Sequence, residues 1–231
     1  MEEKIRYEIT ENFDKEFEKI EHYQRMPQMM PWVGNMYGKK LKKILFIAES
    51  HYFPKGSVIH LDKIKWYQIL KKDLNSEEIE YSNTRYALQK NYKRNTIWRE
   101  PAKIMIELGI SKNSENIYEN FAYYNFFQRP ALEGKEILIN AQDIEIANFT
   151  FNENIKILKP EIIIFLSVKA WNYCSERKKI DYIDFIDYVP HPSSRWWNRK
   201  AKKYSFFNNL PLSGSERFRE IIKSEILNIK I

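Results

Sequence analysis

A single cysteine, Cys174, stands in a chain of 231 residues. One thiol cannot close an internal disulfide, build a cysteine zinc site or hold an iron–sulfur cluster from this chain alone. Also missing is any apolar run approaching the ~20 residues that a membrane span needs. The first residues, Met1-Glu2-Glu3-Lys4, are charged and offer no apolar stretch of the kind a signal peptide uses. These absences set the expectation of a cytoplasmic protein, monomeric, with no membrane partner, no metal and no cofactor. Repeats, low-complexity tracts and long linkers are absent too. One domain is therefore expected over 1–231, with a helical extension over about 1–38.

What is present is aromatic and basic. There are 15 Tyr, 14 Phe and 6 Trp, more than a core of this size demands, and the net charge is +7. A basic balance suits a polyanionic partner as well as plain solubility, and the surplus of rings invites a search for a stacking surface. Hydrophobic residues make up 43% of the chain, enough for a sizeable core.

The organising stretch runs from Lys42 to Pro54. Ile44-Leu45-Phe46-Ile47-Ala48 is apolar without alternation, the mark of a strand buried on both faces, as in parallel sheets. It ends abruptly in Glu49-Ser50-His51-Tyr52-Phe53. In open α/β sheets ligands bind beyond the carboxyl ends of the strands, so these residues fall where such a fold keeps its chemistry. The plainer reading is a strand leaving the core for water.

Around it the pattern alternates. Glu2 to Gln24 reads as a charged amphipathic helix, Met26 to Gly38 as an ordered loop with Pro27, Pro31, Gly34 and Gly38, and Val58 to Leu74 as a helix. Ser76 to Arg99 interleaves Arg85, Lys90, Lys93, Arg94 and Arg99 with Tyr81, Tyr86, Tyr92 and Trp98. That mixture fits either a phosphate-tracking surface or a solvated helix with aromatic anchors. Glu100 to Leu108 reads as a helix capped by Gly109. Within Asn116 to Pro130 an aromatic strand carries Asn125 near its end, and a buried amide must find partners. A helix over Gln142–Leu158 ends at Pro160. Glu161 to Leu166 is a buried strand and Ser167 to Arg177 a short helix. Ile180 to Val189 leads into Pro190-His191-Pro192-Ser193-Ser194-Arg195-Trp196-Trp197. An amphipathic helix follows from Glu216 to Ile231. Strands alternating with helices argue for an α/β domain with a parallel sheet.

Four features occur in one order: Ala48-Glu49-Ser50-His51-Tyr52 after the first buried strand, Asn125 ending an aromatic strand, Leu158-Lys159-Pro160 leading into Ile162–Leu166 and then Ala170, and His191-Pro192-Ser193 after the last strand. In this the chain, from about Trp32 to Lys200, resembles the uracil-DNA glycosylase superfamily. The resemblance implies a three-layer α/β/α sandwich with a central, mainly parallel four-stranded sheet. It also implies a DNA glycosylase-like activity that hydrolyses the N-glycosidic bond of uracil or another deaminated or damaged base in single- or double-stranded DNA. Family members read Gly-Gln-Asp-Pro-Tyr-His at the first motif, where this chain has Ala48, Glu49, Ser50, His51 and Tyr52. Ser50 supplies no carboxylate. A related branch reads Gly-Glu-Ala-Pro-Gly, and Glu49 matches its carboxylate. His51 departs from the motif's proline, and that branch's iron–sulfur cluster is incompatible with a lone Cys174. By the same resemblance Asn125 reads the base edge, His191 is the catalytic histidine, and Ser194, Arg195 and Trp196 lie where the family wedges DNA.

The residue types support these roles on their own. Breaking a nucleoside's C1′–N1 bond develops positive charge on the sugar and negative charge on the base. A carboxylate, Glu49, stabilises the first, and a histidine on a proline-stiffened loop, His191, stabilises the second. An extruded base must be read and stacked: Asn125 reads, Tyr52 or Phe53 stacks, and Ser50 and His51 complete the base pocket. Ser193, Ser194, Arg195, Trp196, Trp197, Lys200, Lys202 and Lys203 form a candidate nucleic-acid loop; its plainer reading is a basic loop whose tryptophans fold into the core. Three rivals remain open: a non-catalytic or differently specific nucleic-acid- or nucleotide-binding member of the same fold, a serine hydrolase using Ser50 and His191 without the usual Gly-x-Ser-x-Gly elbow, and a metal hydrolase using Glu49, His51, His60 and His191.

Overall fold

A computed structural model describes residues 8–91, 95–111, 117–132, 134–206 and 210–228, the side chains of residues 90 and 91 excepted. Its strands are β1 (Trp32–Val33), β2 (Ile44–Ala48), β3 (Tyr52–Phe53), β4 (Phe121–Asn125), β5 (Ala131–Leu132), β6 (Ile162–Phe165) and β7 (Phe185–Tyr188). Five of them make one sheet in the order β1-β4-β2-β6-β7. The strands β4, β2, β6 and β7 run parallel, and β1 joins the edge antiparallel to β4. The sheet is therefore mixed and five-stranded, where four strands were expected. Trp32–Val33 escaped notice because two residues in a proline- and glycine-punctuated stretch show no period. β3 and β5 form a separate parallel pair.

The unbroken apolar run of β2 is explained by its central place. Every residue of β2 is buried. Leu45 and Ile47 join Tyr124, Ile163 and Phe165 on one face, while Ile44 and Phe46 join Phe121, Ile162 and Ile164 on the other. Burying each such side chain contributes roughly 1.5–3 kcal/mol.

The helices are α1 (Asp14–Phe17), α2 (Glu21–Arg25), α3 (Ser76–Tyr81), α4 (Thr84–Asn91), α5 (Thr96–Glu107), α6 (Ala141–Leu158), α7 (Val168–Tyr173) and α8 (Gly214–Ile221). They cover both faces. Phe17 and Tyr23 of the first two, Phe151, Ile155 and Leu158 of α6, and Ala170 of α7 pack on the first face. Leu88 of α4, Ala102 and Met105 of α5, and Phe218 and Ile221 of α8 pack on the second. α6 starts where Asn140 accepts from the Asp143 amide and Asp143 returns a bond to the Asn140 N–H, a reciprocal cap. It stops at Lys159, whose φ of 47° lies in the left-handed region; Pro160 follows.

Three expectations fail locally. The single helix over 2–24 is instead α1 and α2, with residues 2–7 outside the described set. Val58 to Leu74 is no α-helix: it holds only single 3-10 turns at Lys65–Tyr67 and Lys71–Asp73. Asp62 accepts from the Ile64 and Lys65 amides and Asp73 from that of Leu70, and such short side-chain bonds compete with helix propagation. The closing helix begins at Gly214 and passes into a π turn over Ile222–Ile226; Ile229 lies outside the described residues. The basic aromatic stretch 76–99 follows its plainer reading in part: Arg85 pairs with Asp14 through two bonds, and Trp98 is buried. Tyr92, Lys93 and Arg94 lie outside the described residues. Among those described, no helix is long and apolar enough to cross a membrane.

Candidate active site

The parallel strands deliver three polar residues to one end of the sheet. Glu49 follows the last residue of β2. Asn125 is the last residue of β4 and pairs in register with Ala48. His191 follows β7 through Val189 and Pro190, and the Val189 amide donates to the Phe165 carbonyl of β6. The Phe126 and Phe127 amides donate to the carbonyls of Ala48 and Glu49, which locks the chain beyond Asn125 against the chain beyond β2.

Glu49 is held by both oxygens. The Ser167 hydroxyl donates to its Oε2 at 2.7 Å, and the Lys169 ammonium stands 3.5 Å from its Oε1. Ser167 is also the N-cap of α7, accepting from the Ala170 amide. Lys169 bonds in turn to the exposed Glu136 at 2.9 Å. Burial opposes its charge, but the two carboxylates prevail and raise its pKa. Sequence reasoning missed Ser167 and Lys169 as site residues. Their one signal is a capping serine directly after a strand buried on both faces.

His191 is half-buried. Its Nδ1 accepts the Ser193 amide at 3.2 Å and lies 2.7 Å from the Ser193 hydroxyl. With Nδ1 accepting, the neutral ring carries its proton on Nε2. Burial lowers its pKa, and the nearby Glu49 charge works the other way, so the ring is mostly neutral at pH 7, a donor rather than a cation. The Asn125 amide side chain is buried and has no hydrogen-bond partner among the described residues, its main-chain carbonyl being taken by Gln128. Tyr52 is partly exposed at the mouth, its phenol pKa raised by burial and then by the charges of Glu49 and Glu136.

Other expected members stand elsewhere. Phe53 is fully buried, edge-on to Trp66 and His60, and offers no face to a base. His51 is turned to the junction of α3 and α4, its Nε2 3.1 Å from the Thr84 hydroxyl, and burial drops its pKa to about 4. Ser50 is buried with its hydroxyl unpartnered, and no bond joins it to His191, so the paired serine and histidine of a hydrolase are not formed. His60 instead neighbours Ser57. Among the described residues no group of three His, Cys, Asp or Glu could hold a metal ion.

The loop after His191 divides. Trp197 belongs to the core, packed on Phe218. Gly214, at the start of α8, makes this possible: a Cβ there would overlap the Pro190 ring and press on Trp197. Lys200 pairs with Glu216 at 3.0 Å. Trp196 stays half-exposed, with the Arg195 guanidinium 4.9 Å and the Lys203 ammonium 4.6 Å from its ring centroid. Ser193 is bound to the histidine, and Ser194 has a buried, unpartnered hydroxyl. Lys202 is exposed and pairs with no carboxylate among the described residues. Trp196, Arg195, Lys202 and Lys203 are the part of the loop open to a ligand.

A groove of about 480 Å³ opens at the opposite end of the sheet, lined by Lys156, Lys159, Pro160, Glu161 and Tyr182. Lys156 there pairs with Glu153, and Glu161 accepts from the Lys43 amide. Glu49, Asn125 and His191 all lie away from this groove, at the carboxyl end of the sheet.

No protein-family model matches the chain, and no curated protein matches it significantly.

Proposed function

We propose that the protein is a DNA glycosylase-like hydrolase of the N-glycosidic bond, with the three-layer α/β/α arrangement of the uracil-DNA glycosylase superfamily. The observation that carries this reading is the placement of Glu49, Asn125 and His191 at the carboxyl ends of parallel strands, with the Asn125 amide unpartnered and the His191 Nε2 proton available. An extruded base would place its hydrogen-bonding edge on the Asn125 amide, which offers both a donor and an acceptor. As the C1′–N1 bond breaks, its electron pair moves to the base, whose oxygen accepts the Nε2–H of His191. A neutral imidazole does this without having to surrender a proton. The Glu49 carboxylate faces the developing sugar cation; water adds at C1′, and the proton it sheds ends on the departing base anion. Tyr52, whose phenol feels the Glu49 charge, supplies an exposed ring.

The test is an abasic-site cleavage assay with purified protein on oligonucleotides carrying uracil, hypoxanthine, xanthine or methylated bases. Release of one of them, lost in Glu49→Gln, is the expected result. A second reading, a nucleic-acid-binding member of the same fold without turnover, draws on one observation: both oxygens of Glu49 are already engaged, by Ser167 and Lys169. Binding without release of any base would favour it.

A further inference from the structure

Segment 55–72 leaves the small β3–β5 pair next to Tyr52 and is fastened down along its inner side. The Trp66 indole donates to the Gln128 carbonyl at 2.9 Å and Tyr67 donates to Asp143 at 2.7 Å. The buried Arg129 guanidinium grips Asp143 with two bonds, at 2.8 and 2.7 Å, and also takes the carbonyls of His60 and Leu138. The segment is irregular but rigidly mounted, and its mount is the loop that begins at Asn125.

Its outer side is not what a solvated loop presents. Val58, Leu61 and Ile64 are 71, 54 and 62% exposed, and Leu138, on the same guanidinium, is 73% exposed. Grouped exposed aliphatics of this kind mark interaction surfaces. Lys55, Lys63, Lys65, Lys71 and Lys72 lie among them, and none pairs with a carboxylate among the described residues. The local acids Asp62 and Asp73 are occupied by main-chain amides.

In the sheet order, β4 with its following loop lies on one side of β2 and β7 with the Trp196 loop on the other. Glu49 thus sits between two basic arms. We propose that segment 55–72, with Leu138, is a second nucleic-acid contact surface. Its lysines meet phosphates, and Leu61 and Ile64 press on bases beside the extruded one, as apolar side chains do when they hold open a base step. This rests on the glycosylase reading of the site, which puts a nucleic-acid strand at Glu49. A lipid surface would also suit lysines among aliphatics, but continuity with the Asn125 loop favours the polymer that the site itself takes.

The experiment compares binding of fluorescein-labelled single-stranded and duplex oligonucleotides, by anisotropy over a salt series, for wild type, Lys63→Glu/Lys65→Glu, Leu61→Ser/Ile64→Ser, and the charge-matched control Lys39→Glu/Lys40→Glu at the amino end of β2. All these positions but the half-buried Lys63 are exposed, and thermal melts check that folding is kept. The expected result is binding weakened about tenfold or more in both arm variants, with a flatter salt slope only for the lysine pair, and little change in the control. Wild-type binding and base release that the arm variants leave intact would overturn the arm and spare the reading of the site. Failure of the wild type to bind any oligonucleotide would overturn both. Capture by phosphatidylserine vesicles that is lost in Leu61→Ser/Ile64→Ser, with oligonucleotide binding unaltered, would assign the surface to lipid and overturn the proposal.

Discussion

Ser167 donates a 2.7 Å hydrogen bond to Glu49 across the ends of two adjacent parallel strands, β6 and β2. A serine whose backbone starts one helix thereby orients a carboxylate that belongs to another strand's exit. On the proposed glycosylase reading, Glu49→Gln and His191→Ala should each lower base release by about a hundredfold or more while leaving oligonucleotide affinity largely unchanged. Single-turnover assays beside anisotropy titrations separate the two effects. Unchanged turnover in both variants would mean that other groups do the work.

Lys169 should behave as a positioning residue. Lys169→Met removes the ammonium 3.5 Å from Glu49 and should cost about tenfold in kcat with a smaller change in KM, and Lys169→Arg should recover most of it. His191 gives a readout that needs no activity: with that positive charge gone, its imidazole should titrate at higher pH by NMR. An unmoved titration would show that the lysine does not act on this site.

Acid should unfold the protein through its histidines. Burial drops the pKa of His22 to about 3 and that of His51 to about 4. Both lie below the unfolded value of about 6.5, so the unfolded chain takes up protons that the folded chain refuses. Stability is full above about pH 6.5 and falls as pH drops towards 4, by about 3 kcal/mol from His51 alone. Urea melts from pH 7.5 to 4 should show the fall, and His51→Gln, which keeps a donor for Thr84, should shallow it.

The Arg129–Asp143 pair is almost fully buried. Asp143→Ala leaves a guanidinium without its counter-charge and also strips the N-terminal cap of α6, so a loss of about 3–5 kcal/mol is expected in denaturant melts. Arg129→Met together with Asp143→Ala should cost less than the sum of the two single changes.

On the Trp196 loop the contrast lies in salt dependence. Lys202→Ala/Lys203→Ala should flatten the slope of affinity against salt, each phosphate contact being worth roughly 0.7–0.9. Trp196→Ala should weaken binding by about 1–3 kcal/mol with the slope kept. Trp197→Ala, by contrast, should act on folding, since that ring packs on Phe218.

The sequence made the central strands readable because β2 and β6 are buried on both faces, and that state leaves an unbroken apolar run. The placement of Glu49, Asn125 and His191 at strand ends was readable because each breaks from such a run or follows it. β1 was not, for two residues carry no period. The helix expected over 58–74 failed for an instructive reason: its apolar residues do not share one buried face, since Tyr67 and Ile69 are buried while Ile64 and Leu70 are exposed. Ser167 and Lys169 were missed because their contacts to Glu49 span more than a hundred residues of chain and follow no spacing rule. Trp196 and Trp197, equivalent by composition, were separated only by the glycine that lets α8 close on one of them.

That glycine ties the histidine to a part of the chain that lies well beyond it. Pro190 sets the approach to His191, and it is backed by Gly214 and Trp197, which in turn rests on Phe218. Everything that backs the His191 loop therefore comes after it in the chain. A chain cut before Phe218 should keep Glu49, Asn125 and His191 and yet lose the surface on which Trp197 rests.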